Sequence, residues 1–175
     1  MRVLLSLLFG LLAAAPVASA TDCQPDPEPA ERALNALRAQ AQTCGERLWP
    51  AVPALRWHAT LGASAQRFAA ELAAHDRLTH VSASGATLRM RLHQAGYVMR
   101  TSGENLSAGP ATLQEVLDQW LDSPAHCENL MLADFQEFGL ACVSGPGRLE
   151  RYWVLQLGAP LAPRPVVPRS LNAGE

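Results

Sequence analysis

The sequence predicts an α/β sandwich, and three observations lead to this fold class. Apolar residues recur at helical spacing in the first half of the chain and again near residue 115, an extended segment lies between them, and two strand-like segments follow. Helices that precede and separate extended segments favour a mixed sheet covered by helices on its faces. The chain has 175 residues, and we expect one domain with its own core.

The first twenty residues have the pattern of a secretory signal peptide. One charge at Arg2 precedes an apolar run over residues 3–17. Ala18 and Ala20 then form an A-x-A cleavage site. We expect cleavage after Ala20 and a secreted or periplasmic protein. The apolar run is too short to favour a membrane anchor, so no transmembrane segment is expected after cleavage.

The domain is expected over residues 30–160, after an extended, proline-rich arm over residues 21–29. A first helix, from Pro29 to Thr43, is predicted by a stripe of apolar residues (Ala33, Leu34, Leu37 and Ala41). A second helix, from Thr60 to about Arg77, carries a similar stripe (Leu61, Ala65, Phe68 and Leu72). A short third helix is expected before Gly96.

The second half of the chain contains the best defined predicted helix. An extended segment from Tyr97, with the triplet GEN, leads to a capping box formed by Thr112 and Glu115. The helix should end at Ser123, before a loop with the sequence SPAHCENLM. Strands are predicted over residues 138–143 and 152–157, and residues 161–175 form a proline-rich tail expected to be disordered. The helix after GEN is expected on one face of the sheet and the two earlier helices on the other.

Composition excludes several classes of function. The 14 basic and 16 acidic residues give a net charge of −2, and every basic residue is arginine. No basic stripe is present to bind nucleic acid. The absence of lysine excludes Schiff-base catalysis and the lysine of a phosphate-binding loop. Local catalytic motifs such as G-x-S-x-G and H-E-x-x-H are also absent, so any site is assembled from distant segments.

Four cysteines remain after the expected cleavage, at positions 23, 44, 127 and 142. An exported protein meets an oxidising compartment, which favours two disulfides. Three pairings are possible. The pairing Cys23–Cys44 with Cys127–Cys142 is the most economical, because each bridge closes a short loop. It would tie the arm to the first helix and the SPAHC loop to a strand.

Five segments in order, LTHVS, SGENLSAG, VLDQWLDSPAHCENLM, FGLACV and YWVLQLG, resemble the CAP superfamily. This superfamily comprises cysteine-rich secretory proteins, antigen 5 and the plant pathogenesis-related proteins of class 1. The resemblance is closest to its small bacterial branch and extends from about Ala30 to Gly158. It implies a three-layer α-β-α sandwich with a mixed, mostly antiparallel sheet and a surface cleft.

The resemblance also implies a set of cleft residues. By position these are His80, Glu104 and His126, with Asn105 and Ser123 as supporting neighbours. Eukaryotic members carry a second glutamate three residues after the helical tryptophan, and this chain has Ser123 there. Another departure is Ala125, where the bacterial pattern has glycine.

Two imidazoles and a carboxylate are ligand types suited to zinc or a similar divalent ion. We therefore interpret His80, His126 and Glu104 as candidate metal ligands, and expect a monomeric binding domain for a metal, a small ligand, a peptide or an envelope component. Because the second acid is missing, binding is favoured over catalysis. A metal-dependent, peptidase-like hydrolase and a structural envelope protein with an idle cleft remain as alternatives.

Two of these residues also have simpler interpretations. His80 follows the second helix, where a cation is favoured by the helix dipole. Glu104 can serve as a buried hydrogen-bond acceptor for the loop beneath it. His58, His75 and His93 match no cleft position, and Cys127 is interpreted as a disulfide partner instead of a nucleophile.

Overall fold

The computed structural model describes residues 23–161, so the predicted signal peptide and nearly all of the predicted tail lie outside the described residues. Within this range no helix is long and apolar enough to cross a bilayer. The helices and strands follow one another as α1 (Pro27–Arg38), β1 (Gln42–Cys44), β2 (Arg47–Trp49), β3 (Arg56–Trp57), α2 (Ala59–His75), α3 (Leu88–Gln94), β4 (Met99–Ala108), α4 (Leu113–Asp122), α5 (Pro124–Leu130), β5 (Glu137–Ser144) and β6 (Arg151–Pro160).

The central sheet has four strands in the order β3-β5-β6-β4. The final hairpin, β5 with β6, is antiparallel as predicted, and β4 pairs antiparallel with β6 along most of its length. Among the strands of residues 23–161, only β3 runs parallel to its neighbour, β5. The described chain is therefore an α/β sandwich with a mostly antiparallel sheet, which confirms the predicted fold class. Strand β4 lies at one edge of this sheet.

The two faces of the sheet bury alternate residues of β5 and β6, as expected for a pleated strand. Phe138, Leu140 and Trp153 pack in one core cluster with α1, α4 and α5. Ala141 and Val154 pack in the other cluster with α2. The prediction that α1 would share a face with α2 is therefore wrong. The apolar stripe of α1 specifies a buried side, but it does not specify which face of the sheet covers it.

Helix α2 lies unusually close to the sheet at a pair of glycines. A Cβ atom added to Gly139 of β5 would come within 2.1 Å of the backbone nitrogen of Gly62. Any side chain at Gly139 would therefore push α2 off the sheet. This contact sets the distance between α2 and the sheet. It thereby also helps to position the loop after α2, which contains His80.

Several predicted boundaries differ from the structure. The first helix ends at Arg38 instead of Thr43, because Gln42–Cys44 forms the strand of a small hairpin with β2. The SPAHCENL segment, predicted as a loop, contains helix α5, in which Pro124 occupies the first turn. Proline is well tolerated at that position because its missing N–H has no intrahelical partner there. The capping box of Thr112 and Glu115 is confirmed at the start of α4.

The disulfides connect different cysteines from those predicted. Cys23 is bonded to Cys142 and Cys44 to Cys127, with Cα–Cα distances of 5.6 and 5.4 Å. The prediction of two bridges is confirmed, but the pairing of neighbours in sequence is wrong. Cys142 lies in the core cluster on the α1 face, beside the arm that holds Cys23. The small β1–β2 hairpin packs on α5, which brings Cys44 to Cys127.

Candidate functional site

The cleft residues gather at the edge strand β4. Glu104 and Asn105 are successive residues of this strand, and successive side chains of a strand point to opposite faces. Glu104 faces the side of α2 and α3, where it contacts His80 and Arg91. Asn105 faces α5, where it contacts Asn129. The cleft therefore extends over the edge of the sheet, with one histidine approaching from each face.

The carboxylate of Glu104 is buried, with its side chain 2% exposed, and both oxygens are engaged. Oε2 accepts hydrogen bonds from Nη2 of Arg91 at 2.5 Å and from Nε2 of Gln156 at 3.2 Å. Gln156 is the partner of Glu104 in the β4–β6 register. Oε1 lies 3.0 Å from Nδ1 of His80. Because three protein groups already surround this carboxylate, its arrangement suits positioning more than direct ligation.

The His80 ring is oriented by this carboxylate while remaining open to solvent, with its side chain 58% exposed. A carboxylate only accepts hydrogen bonds, so Nδ1 of the neutral ring is the donor and Nε2 keeps its lone pair. The main chain of His80 is also held, because Nη1 of Arg91 donates to its carbonyl oxygen at 2.9 Å. Arg91 thus fixes both the loop and the carboxylate that orient the ring.

Arg91 and Gln156 belong to the candidate site through their hydrogen bonds to Glu104, and the sequence interpretation missed both. Arg91 is 9% exposed and Gln156 is fully buried. Each carried a signal: Arg91 lies between Leu88 and Leu92 on the buried side of a short helix, and Gln156 interrupts the apolar run of β6. A polar residue in such a run is buried with a hydrogen-bonding partner, and here the partner is Glu104.

His126 lies in the first turn of α5 and is half-buried. Burial lowers the pKa of His126 below its usual value, and the nearby charge of His80 lowers this pKa further. Both causes favour the neutral imidazole near pH 7.

Three contacts hold α5 and therefore His126 in place. The disulfide joins Cys127 to the β1–β2 hairpin. Asn105 is buried and donates through Nδ2 to the carbonyl oxygen of His126 at 3.0 Å, while Asn129 donates to its Oδ1 at 2.8 Å. Asn105 thus supports the main chain of His126. These bonds fix the helix on which the ring is carried.

A buried arginine makes a further contact at the far end of α5. Arg38 donates to the carbonyl oxygen of Leu130 and, through Nη2 at 2.8 Å, to that of Pro53. Burial lowers the pKa of Arg38 to about 10, so the guanidinium stays charged at neutral pH. It therefore connects α1, the loop before β3 and the end of α5.

A mostly apolar groove of about 340 Å³ lies beside His126. Ser123, at the junction of α4 and α5, contributes to its wall, and its side chain makes no capping hydrogen bond to α5. Leu78, which is 47% exposed, and Leu149 also line the groove. The groove therefore offers an apolar surface directly next to the imidazole.

The predicted metal ligands are only partly brought together. His80 contacts Glu104, and the charge of His80 contributes to the lowered pKa of His126. Among residues 23–161 no three histidine, cysteine, aspartate or glutamate side chains form a group that could ligate one ion. The groups that suit a divalent ion are therefore the nitrogens of the two imidazoles. Glu104 would orient the His80 ring and would not bind the ion itself.

The sequence model of the cysteine-rich secretory protein family matches residues 31–157. Two solved bacterial structures are similar at 22% identity. One is an outer surface protein of Borrelia burgdorferi, with a TM-score of 0.62 over 79% of this chain and 98% of that one. The other is an extracellular protein of Bacillus anthracis containing an SCP domain, with a TM-score of 0.54 over 61% of this chain and 34% of that one.

A venom allergen-like protein of Schistosoma mansoni is also similar, with a TM-score of 0.51 and 12% identity over 76% of this chain and 90% of that chain. No curated protein matches the sequence. The chain spans about a third of the length of the Bacillus anthracis protein. At these identities the likenesses show a shared fold, and the chemistry of the cleft has to be argued from its own residues.

Proposed function

Because the chain belongs to the cysteine-rich secretory protein family, we propose that it is an extracytoplasmic binding domain whose cleft holds a divalent metal ion or a small ligand through His80 and His126. The two imidazoles would supply the nitrogen ligands. Neutral imidazole is the form that binds metal, and the lowered pKa of His126 supports that form at pH 7. A bound ion would act as a Lewis acid toward oxygen or nitrogen atoms of the ligand.

The observation that carries this proposal is the bond between Nδ1 of His80 and Glu104. A carboxylate on one ring nitrogen fixes the tautomer and the ring direction, which makes the opposite nitrogen a better ligand. Glu104 is itself fixed by Arg91 and Gln156. The Nε2 atom of His80 is therefore oriented to bind a metal ion, on a side chain that is exposed to solvent.

The same network favours binding over turnover. Catalysis by a general base needs a side chain that is free to take up a proton from the reacting molecule. Both oxygens of Glu104 already accept hydrogen bonds from protein groups, and the position of the second acid is occupied by Ser123. The described cleft thus contains imidazole nitrogens suited to bind a ligand. Its carboxylate, Glu104, is used to orient one of the two rings.

The groove beside His126 supports a ligand with both a polar and an apolar part. Its volume of about 340 Å³ is at the lower end of the range for small-molecule sites, roughly 300–1,000 Å³. A donor atom of the ligand would lie at the imidazoles, and an apolar group would cover Leu149 and the exposed Leu78. An extended peptide with one large apolar side chain satisfies both requirements.

Zinc titration by calorimetry tests the proposal on the purified protein with both disulfides formed. We expect about one equivalent of zinc to bind at pH 7, with His80 and His126 as its two nitrogen ligands. His80→Ala and His126→Ala should each weaken binding by at least about tenfold. His93→Ala is the matched control, since this exposed histidine lies on α3, and it should bind as the unchanged protein does.

Each result decides one part of the proposal. Loss of binding in both cleft variants, with His93→Ala unchanged, supports a two-histidine metal site. Loss of binding in His93→Ala as well would indicate non-specific surface binding and contradict the proposal. If the unchanged protein binds no zinc, the metal part is wrong, and titration with apolar peptides would then test the groove alone.

A further inference from the structure

Strand β4 has a neighbouring strand on one side only. It is the last strand in the order β3-β5-β6-β4, and it pairs with β6 throughout its register. Within residues 23–161 no other strand pairs with its second side. Edge strands of soluble proteins are usually covered or blunted, because their unpaired main-chain groups can pair with another chain. The outer side of β4 is therefore a surface on which a further chain could be held.

The register identifies the main-chain groups of β4 that point outward. In an antiparallel pair, alternate residues direct both their N–H and their C=O groups toward the partner strand. The N–H of Gly109, directly after β4, donates to the carbonyl oxygen of Arg151 in β6 at 3.0 Å. The odd-numbered residues of β4 therefore face β6 after the start of the strand. Ser102 and Glu104 direct their N–H and C=O groups away from the sheet.

Two features limit the open part of this edge. At one end, the carbonyl oxygen of Leu106 accepts a hydrogen bond from Nε1 of Trp120 at 3.0 Å. This bond agrees with the outward direction of even-numbered residues, and it places α4 against the edge there. At the other end, the register with β6 shifts between Met99 and Thr101, and such an irregularity interrupts regular pairing. The segment between these limits, residues 101–105, is the open edge of β4.

The open edge of β4 is accessible to solvent. Ser102 and Gly103 are half-buried. Glu104 is 9% exposed as a residue although its side chain is only 2% exposed, so its remaining exposure lies mainly in its main chain. The charge of Glu104 is directed into the protein, where it pairs with Arg91, and the segment contains no proline. No charged side chain or proline of this segment therefore prevents the addition of a strand.

The groove beside His126 continues from the open edge. Leu106 and Ala108 of β4 belong to its lining, together with Leu78 from the loop after α2 and His126 from α5. Its walls thus come from both faces of the sheet, and they meet at the edge strand. An extended chain that lay along the open edge could therefore continue to the groove and place one side chain in it.

We propose that an extended peptide binds to the open edge of β4 as an additional strand and places an apolar side chain in the groove beside His126. Its main chain pairs with the outward groups of Ser102 and Glu104, which gives affinity, and the groove selects a large apolar side chain. A peptide suits this edge better than a second folded copy, because α4 and the shifted register limit pairing to a few residues. The inference rests on the proposed binding function of the cleft and specifies the class of ligand.

The test is an NMR titration of the purified, disulfide-bonded protein with an acetylated and amidated hexapeptide, Ser-Val-Thr-Leu-Ser-Val. Recognition through the main chain tolerates many sequences, and the leucine supplies the apolar side chain. We expect peptide binding to shift the amide signals of Ser102 and Glu104 and to slow the hydrogen exchange of these two amides. Both effects follow because the two outward N–H groups gain acceptors.

Two modified peptides of the same sequence serve as matched probes. One is N-methylated at its odd-numbered positions and the other at its even-numbered positions. Alternate N–H groups of an extended chain point to opposite sides, so only one of the two peptides loses the donors that face β4. That peptide should bind at least about tenfold more weakly, as expected for the loss of two hydrogen bonds. The other should bind as the unmodified peptide does.

A pair of variants tests the same bonds from the side of the protein. Ser102→Pro removes one outward N–H, and proline is tolerated on an edge strand where the N–H faces solvent. Ser102→Ala keeps this N–H and lacks only the hydroxyl group. The proline variant should therefore bind the peptide at least about fivefold more weakly than the alanine variant, as expected for one lost hydrogen bond. Zinc titration of both variants shows whether the two imidazoles still bind metal.

The outcomes separate this inference from the proposed function. Equal binding of the two N-methylated peptides would contradict strand addition, even if the groove binds the leucine. No binding of the unmodified peptide would also overturn the inference, while the zinc titration would still decide the role of His80 and His126. A dimer in sedimentation experiments, with the amides of Ser102 and Glu104 protected before peptide is added, would show that a second copy occupies the edge and would contradict the inference.

Discussion

The two halves of the cleft are held by different kinds of interaction. On the His80 side, a buried network of charges and amides, Arg91 and Gln156 with Glu104, orients the imidazole. On the His126 side, a disulfide and hydrogen bonds to main-chain carbonyls hold the helix that carries the ring. One half therefore fixes the direction of a side chain, and the other fixes the position of a backbone.

This difference has consequences for how each half responds to change. An electrostatic network in a low-dielectric interior is sensitive to the loss of any one partner, because the remaining charge stays buried without compensation. A covalent bridge and main-chain contacts are insensitive to pH and to salt. The His80 half is therefore the adjustable part of the cleft, and the His126 half is its rigid frame.

The largest expected effect comes from removing the bridge that holds the frame. Cys44 and Cys127 are 83 residues apart in sequence, and opening a loop of that length should lower the free energy of unfolding by about 4–5 kcal/mol. The variant with Cys44→Ala and Cys127→Ala should also bind zinc more weakly, since α5 loses an anchor. Urea denaturation and calorimetry measure these two effects.

The other bridge provides the matched control. Cys23→Ala with Cys142→Ala opens a loop with a separation of 119 residues and should cost a similar amount of stability, about 4–5 kcal/mol. This bridge joins the arm to β5 and contains no residue of α5, so zinc affinity under folding conditions should be retained. Equal loss of affinity in both variants would show that the bridge at α5 has no special role in the frame.

A smaller effect is expected from breaking the charge network. Arg91→Met leaves the Glu104 carboxylate buried without its cation and should reduce stability by about 3 kcal/mol. The ring signals of His80 should shift in NMR spectra, while those of His126 should change little. Glu104→Gln should disturb the same ring, and the double variant should cost less than the sum of the single variants. Additive costs would contradict a shared network.

The smallest effect is a change in the titration of His126. Its folded pKa is lowered by burial and by the charge of His80. His80→Gln should therefore raise the pKa of His126 measured by NMR, because one of the two causes is removed. His93→Gln should leave it unchanged. If His80→Gln has no effect on this pKa, the two rings do not act on each other.

The same lowered pKa predicts the sign of a stability change with pH. The unfolded chain, with a histidine pKa of about 6.5, binds a proton more readily than folded His126 does. Stability should thus decrease as the pH falls from about 6.5 toward the folded pKa. In His126→Gln, the free energy of unfolding should lose the part of its pH dependence that comes from His126. Urea denaturation at several pH values measures this free energy.

Local patterns in the sequence were enough to predict much of the fold. The capping box of Thr112 and Glu115 satisfies orphan backbone groups within one turn, so it identifies the start of α4 without tertiary information. The final hairpin follows from two apolar segments around a turn. Such features depend on residues close in sequence, and the structure confirms them.

Features that depend on distant segments could not be predicted in the same way. Cys23 and Cys142 meet because the arm crosses the core face of β5, and no local rule indicates that crossing. For the candidate site, resemblance indicated His80, Glu104 and His126, but it did not indicate Arg91. The role of this arginine arises only when α3 packs against β4, which brings a buried cation to a buried carboxylate.

The nested arrangement of the two disulfides affects the order in which the protein matures. Cys23 is the first cysteine of the chain to be synthesised and its partner, Cys142, is the last. An oxidising enzyme that joins thiols as they emerge would first connect Cys23 to Cys44, and that bond has to be broken again. Correct maturation therefore depends on thiol–disulfide exchange after β5 has been made. A cell that supplies a disulfide isomerase should yield more native protein than one that supplies only an oxidant.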